Sequence, residues 1–132
     1  MINWNEFQKY TASLCAWREA RGEGRDGMRA VIHVISNRAA SPKFPHTWAE
    51  VVYQPLQFSS MTAPHDPQLG KVPVNPDPQF IDCYDIADTI WNGGDFDLTN
   101  GATNYFNPSE VLPDWAQAMT KVATIGNHVF YK

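Results

Sequence analysis

"LCAWREARGEGRDGMRAVIHVISNRAA", residues 14–40, reads as the end of one helix, a glycine-rich corner and a second helix. Leading into it, Phe7, Tyr10, Leu14 and Trp17 recur at spacings of three and four, which predicts a helix from about Asn5 to Arg21 with one apolar stripe. Gly22 stands where a C-terminal cap would end that helix. Past the corner, Met28, Val31, Ile32, Ile35 and Ala39 trace one face of a second helix over about Arg25 to Ala39.

Working outward, "TWAE" at 47–50 has the pattern of a capping box, with Thr47 at the N-cap and Glu50 three positions on. The short helix it opens stops at Pro55. Residues 61–79 hold five of the ten prolines and read as a long surface loop. Asp77 then caps a helix with Pro78 in its first position, Phe80, Tyr84, Ala87 and Trp91 on its buried face, and "NGG" at its end. "TNYFNP" at 103–108 and "NHVFYK" at 127–132 read as short aromatic strands. Between them Trp115, Ala118, Met119, Val122 and Ile125 predict one more helix, closed by Gly126. The expected architecture is a mostly helical α+β fold, residues 1–132 as one domain, with a small antiparallel sheet late in the chain.

Composition fits a folded domain: 132 residues, 43% hydrophobic and 18% charged. An aromatic content of 13%, five Trp included, suits a sugar-stacking cleft as well as it suits a core. The net charge is −4, and the one arginine cluster, at 18, 21, 25 and 29, sits beside glutamates, which argues against a nucleic-acid footprint. The start, "MINWNEFQKY", lacks the pattern of a secretory signal, and no apolar run approaches the roughly 18 residues of a membrane span. Synthesis without an export signal and no membrane insertion are therefore expected. Whether Cys15 and Cys83 pair stays open.

Few patterns offer chemistry. With no CxxC or HExxH and four scattered histidines, no metal and no cofactor are expected. "GEGRDG" lacks the spacing of a phosphate loop. Cys15, mid-helix among apolar neighbours, is a poor nucleophile even with His128 as base. Glu19 remains. Glycoside cleavage needs an acid that protonates a poor leaving oxygen, and Glu19 lies in the last turn of its helix beside Trp17 and Ala20. The rival reading is an ordinary charged helix end, with Glu19 paired to Arg18, Arg21 or the arginines of the next helix.

Five segments stand in order along the chain: "EARGE" (19–23), "AVIHVISNR" (30–38), "FPHTWAEVVYQPLQF" (44–58), "GATNYFNP" (101–108) and "TIGNHVFY" (124–131). Together they resemble the cell-wall hydrolase family of SleB/CwlJ type, the spore-cortex-lytic enzymes and their phage relatives. The resemblance implies a lysozyme-like, resuscitation-factor-like fold around one groove. It implies cleavage of peptidoglycan glycan strands between N-acetylmuramic acid and N-acetylglucosamine by a lytic transglycosylase, with Glu19 as the catalytic glutamate. Plain muramidase hydrolysis and a non-catalytic wall-binding relative are the alternatives. Gln57, Phe58, Asn104, Tyr105, Phe106, Asn107 and His128 are the substrate contacts it suggests, with Phe58 equally readable as core. In a strand, Tyr105 and Asn107 face one way and Asn104 and Phe106 the other, so only one pair can line a groove. Glu23 is expected to fix the glycine corner through Arg25 or a backbone N–H, and Arg38 to hold the loop after the second helix. A monomer is expected, reaching the wall as a phage endolysin does, with a separate holin-like partner.

Overall fold

The computed structural model describes residues 3–132. Helix α1 (Trp4–Ala20) opens with a capping box: Asn3 Oδ1 accepts the Glu6 N–H at 2.8 Å and Glu6 accepts the Asn3 N–H at 3.3 Å. Every residue from Thr11 to Trp17 is buried. The apolar stripe seen in the sequence is thus too narrow, and Tyr10 stays on the outside. A helix enclosed on all sides needs small residues where its neighbours approach, and Ala12, Ser13, Ala16 and Ala20 provide them.

The corner differs from expectation. Instead of ending at Gly22, the chain tightens into a 3₁₀ turn (Arg21–Glu23), and Gly24 carries the left-handed backbone at φ +80°. Helix α2 (Gly24–Ala39) then buries two faces. Met28, Val31, Ile32 and Ile35 join the main core with α1, while Ala30 and Val34 join Ala102 and Phe130 in a second core under the sheet.

Helix α3 (Trp48–Val52) forms half of the expected box. Thr47 Oγ1 accepts the Glu50 N–H at 3.1 Å, but Glu50 accepts from the Thr47 hydroxyl and not from its N–H. The head of the proline-rich stretch is helical, α4 (Ser59–Thr62). Helix α5 (Pro78–Trp91) starts as predicted, Asp77 accepting the Phe80 N–H at 2.9 Å. Its buried residues are Cys83, Ile86, Ala87 and Ile90, so the inward face is rotated from the expected one. The bulky Phe80 and Trp91 sit at the margin instead, edge-on to Trp17 and Trp48, where there is room for rings beside the small residues of α1.

The last helix predicted from sequence does not form. Residues Asp114–Ala118 make a short 3₁₀ turn, and strand β2 (Lys121–Ile125) follows. Val122, Thr124 and Ile125 are β-branched, and Gly126–Asn127 makes a two-residue hairpin with φ +56° at the glycine. Together they outweigh a coincidental helical spacing. With β1 (Asn104–Phe106) and β3 (His128–Tyr131) they form an antiparallel sheet of order β1-β3-β2, Tyr105 opposite Phe130.

The 95–101 loop is tied to α2. Asp97 accepts from the Thr99 N–H and hydroxyl, the Gly101 N–H and Asn37, while Asp95 lies 2.6 Å from His33 Nε2 and accepts from Arg29. His33 is therefore a satisfied buried histidine.

Candidate active site

Glu19 emerges from the last turn of α1 into a cleft of about 770 Å³. One wall is the turn after α3 with Tyr53, Leu56 and Gln57; another is α4 and the start of the loop, with Thr62, Pro64 and His65. Glu19 is the only carboxylate among the lining residues.

The charged-helix-end reading fails on geometry. Arg18 reaches away to the carbonyls of Lys71 and Ser60, at 2.9 and 3.1 Å. Arg21 lies over the Trp17 ring at 4.0 Å and donates to Gln68 Oε1 at 2.8 Å. Arg25 pairs with Asp82, and Arg29 with Asp26 and Asp95. Among the described residues Glu19 forms no ion pair. Its hydrogen bond comes from the Tyr105 hydroxyl, which donates to Oε1 at 3.0 Å.

Tyr105 is placed by the sheet. It stacks on Phe130 at 5.3 Å and meets the His128 ring edge-on at 5.2 Å. Burial, then the negative charge of Glu19, push its phenol well above the ordinary value, so it remains a protonated donor. His128 Nδ1 in turn lies 2.9 Å from Glu23 Oε1, which also accepts the Asn127 N–H at 3.1 Å. Glu23 therefore fastens the β2–β3 hairpin to the corner after α1. Of the two partners expected, Arg25 is engaged with Asp82, and the backbone N–H that Glu23 accepts is that of Asn127.

The remaining candidates separate. Gln57 lines the cleft and accepts from Arg38 Nη1 at 3.2 Å. Arg38, 5% exposed, donates from Nε to the Thr103 carbonyl at 2.6 Å and lies over the Phe58 ring at 5.2 Å. It bolts β1 to the turn after α3, and burial lowers the pKa of its guanidinium. Phe58, 2% exposed, is core and is not available as a substrate contact. Phe106 is buried in an aromatic group with Trp115 and Tyr131 on the far side of the sheet. Asn107 accepts from Ser109 in a turn, and Asn104 from the Thr103 hydroxyl; neither lines this cleft. Tyr53, Leu56, Thr62 and His65 do line it and carried no site role in the sequence reading. The unusual length of the proline-rich stretch was the one hint toward the last two.

The cysteines offer no nucleophile. Both are buried free thiols, and burial pushes Cys83 up to about 12 and Cys15 well above its ordinary value.

A family model described as Cell Wall Hydrolase matches residues 22–131, beginning just after Glu19. The chain is 35% identical over 112 residues to a spore cortex-lytic enzyme of Halalkalibacterium halodurans, covering 85% of this chain and 31% of that protein. The corresponding enzyme of Bacillus subtilis is 33% identical, with 85% and 33% covered. The chain thus spans about a third of the length of these curated relatives. Among solved structures, the catalytic domain of the germination-specific lytic transglycosylase SleB from Bacillus anthracis superposes with a TM-score of 0.75 at 29% identity, covering 95% of this chain and 93% of that one. The SleB catalytic domain of Bacillus cereus gives the same TM-score at 27% identity, with 98% and 93% covered. Its fold is therefore that of the SleB catalytic domain, and the chain belongs to the cell wall hydrolase family.

Proposed function

We propose that this chain cleaves the glycan strand of peptidoglycan between N-acetylmuramic acid and N-acetylglucosamine as a lytic transglycosylase, with Glu19 as acid and then base. Its place of action is the bacterial cell wall, and residues 1–132 act as one catalytic unit. The observation that carries this reading is a cleft lined by one carboxylate, Glu19, which among the described residues forms no ion pair and is oriented by a phenolic donor. The names of the relatives, a lytic transglycosylase among them, point the same way.

Chemistry with one carboxyl is self-consistent. Tyr105 engages Oε1, leaving Oε2 to give its proton to the glycosidic oxygen as the bond to the muramic C1 breaks. The resulting carboxylate takes the proton of the muramic 6-hydroxyl as that oxygen attacks C1, giving a 1,6-anhydro end. A second carboxylate, which hydrolysis would require as a base for water at about 6.5–9.5 Å or as a nucleophile at about 5–5.5 Å, is not needed.

Mass spectrometry of fragments released from purified peptidoglycan tests this, with wild type and Glu19→Gln side by side. Anhydro-muramic ends from the wild type, reduced on the order of 100-fold or more in the variant, are expected. Ordinary reducing muramic ends would instead make the reaction a hydrolysis, and equal cleavage by both proteins would remove Glu19 from the mechanism.

A further inference from the structure

Leu56 is the most exposed large apolar side chain among the described residues, at 96%. Its backbone is also left-handed, with φ +65°. Glycine adopts that conformation freely, whereas a leucine resists it. Among the described residues the other non-glycine residue with such a φ is Asn100, a type that tolerates it. Stability alone would favour Gly or Asn at position 56, yet the position holds an apolar side chain pointing into solvent at the rim of the Glu19 cleft. Backbone strain of this kind persists where the surroundings enforce it. Here Gln57 is held by Arg38, and Phe58 is sunk into the core, so the turn cannot relax. Tyr53, 48% exposed, lies on the same wall.

Among the lining residues of this cleft Glu19 is the only acidic one, and none is a lysine or arginine. An apolar rim beside amide and hydroxyl groups suits a neutral pyranose, whose axial C–H bonds form a non-polar face. Resting on the glycan-cleaving reading above, we propose that Tyr53 and Leu56 form a platform for an uncharged N-acetylhexosamine ring of the strand. The platform holds the ring's non-polar face beside the glycosidic bond whose oxygen Glu19 protonates. Both residues are substrate-positioning groups.

The test is binding of chitotetraose, a neutral N-acetylglucosamine tetramer, to the Glu19→Gln protein, followed by amide chemical shifts. Saturable shifts should centre on residues 53–57 and 63–65. Adding Leu56→Gly or Leu56→Asn should weaken binding about tenfold, as expected for losing the burial of one leucine. Neither should lower the melting temperature, because both residues accept the left-handed backbone, and Leu56→Met should restore affinity to within about twofold since it keeps the apolar reach. Absent binding, shifts centred elsewhere, or unchanged affinity in Leu56→Gly would overturn the platform, even if wild type yields anhydro ends. Binding lost with Leu56 while wild type yields no cleaved glycan would support the platform and defeat the cleavage reading instead.

Discussion

The Tyr105 hydroxyl donates to Glu19 Oε1, and a phenyl ring in its place would keep the stacking on Phe130 while losing the donor. A hydrogen bond to a charged group contributes about 1.5–3 kcal/mol, so Tyr105→Phe should lower kcat roughly 10- to 100-fold. Binding of chitotetraose should change little, because Tyr105 is not among the residues lining the Glu19 cleft. A variant that weakens binding and leaves turnover intact would reverse this assignment. The position of Glu19 at a helix end was legible from "EARGE", since those features are local. Its partner was not, because the pair is separated by 86 positions and only the packing of the sheet on α1 and α2 joins them. Phe58 shows the same limit: its ring could equally have faced the cleft or the core until Arg38 was seen lying over it.

Among the elements, the β2–β3 hairpin carries the clearest dependence on one turn. Gly126 has a left-handed backbone, and a Cβ there would stand 2.9 Å from Glu23 Oε1. Gly126→Ala should therefore cost about 1–2 kcal/mol from backbone conformation alone, with displacement of the Glu23 carboxylate in addition. Glu23→Gln, which loses charge on the acceptor of the Asn127 N–H, should cost on the order of 1 kcal/mol. Denaturant unfolding measures both; stability equal to wild type in Gly126→Ala would show that the turn gives way easily. This hairpin is also where sequence periodicity misled. Trp115, Ala118, Met119, Val122 and Ile125 keep helical spacing, but the β-branched content of 121–125 and the Gly-Asn pair agree with a strand and turn. Helix α5, by contrast, was legible at its start because the Asp77 cap is local, and α2 was legible from its regular apolar spacing. The rotation of α5 was not, since it depends on the small residues that α1 presents.

Across the whole molecule, the carboxyls that tie the 95–101 loop to α2 make stability depend on acid. For Asp97, burial opposes ionisation, but the bonds from Thr99, Asn37 and the Gly101 N–H outweigh it and hold its pKa below the ordinary value. Asp95 behaves likewise: burial is overcome by His33 and Arg29. Groups depressed in the folded state contribute fully above the unfolded value of about 3.9, and the contribution is lost as pH falls through the lower folded values. The melting temperature should hold from pH 6 to about pH 4 and drop below that. Asp97→Asn should lose on the order of 1–3 kcal/mol at pH 6 and show a shallower acid drop. Parallel acid profiles for the two proteins would remove Asp97 as the source. The overall architecture was readable from helix caps and motif order, while this network was not, because it gathers groups from Arg29 to the Gly101 N–H through tertiary packing alone.

Arg18 grips its opposing wall by the carbonyl oxygens of Ser60 and Lys71. Every amino acid supplies that oxygen, so these two fastenings do not depend on which side chains stand at 63–67. Apart from Asp66, that stretch of wall is therefore open to substitution with the hold of Arg18 intact. Libraries randomised there, with Asp66 retained for its bonds to Ser59 and to the Gln68 N–H, would vary the lining of the cleft while leaving Glu19 and Tyr105 where they stand.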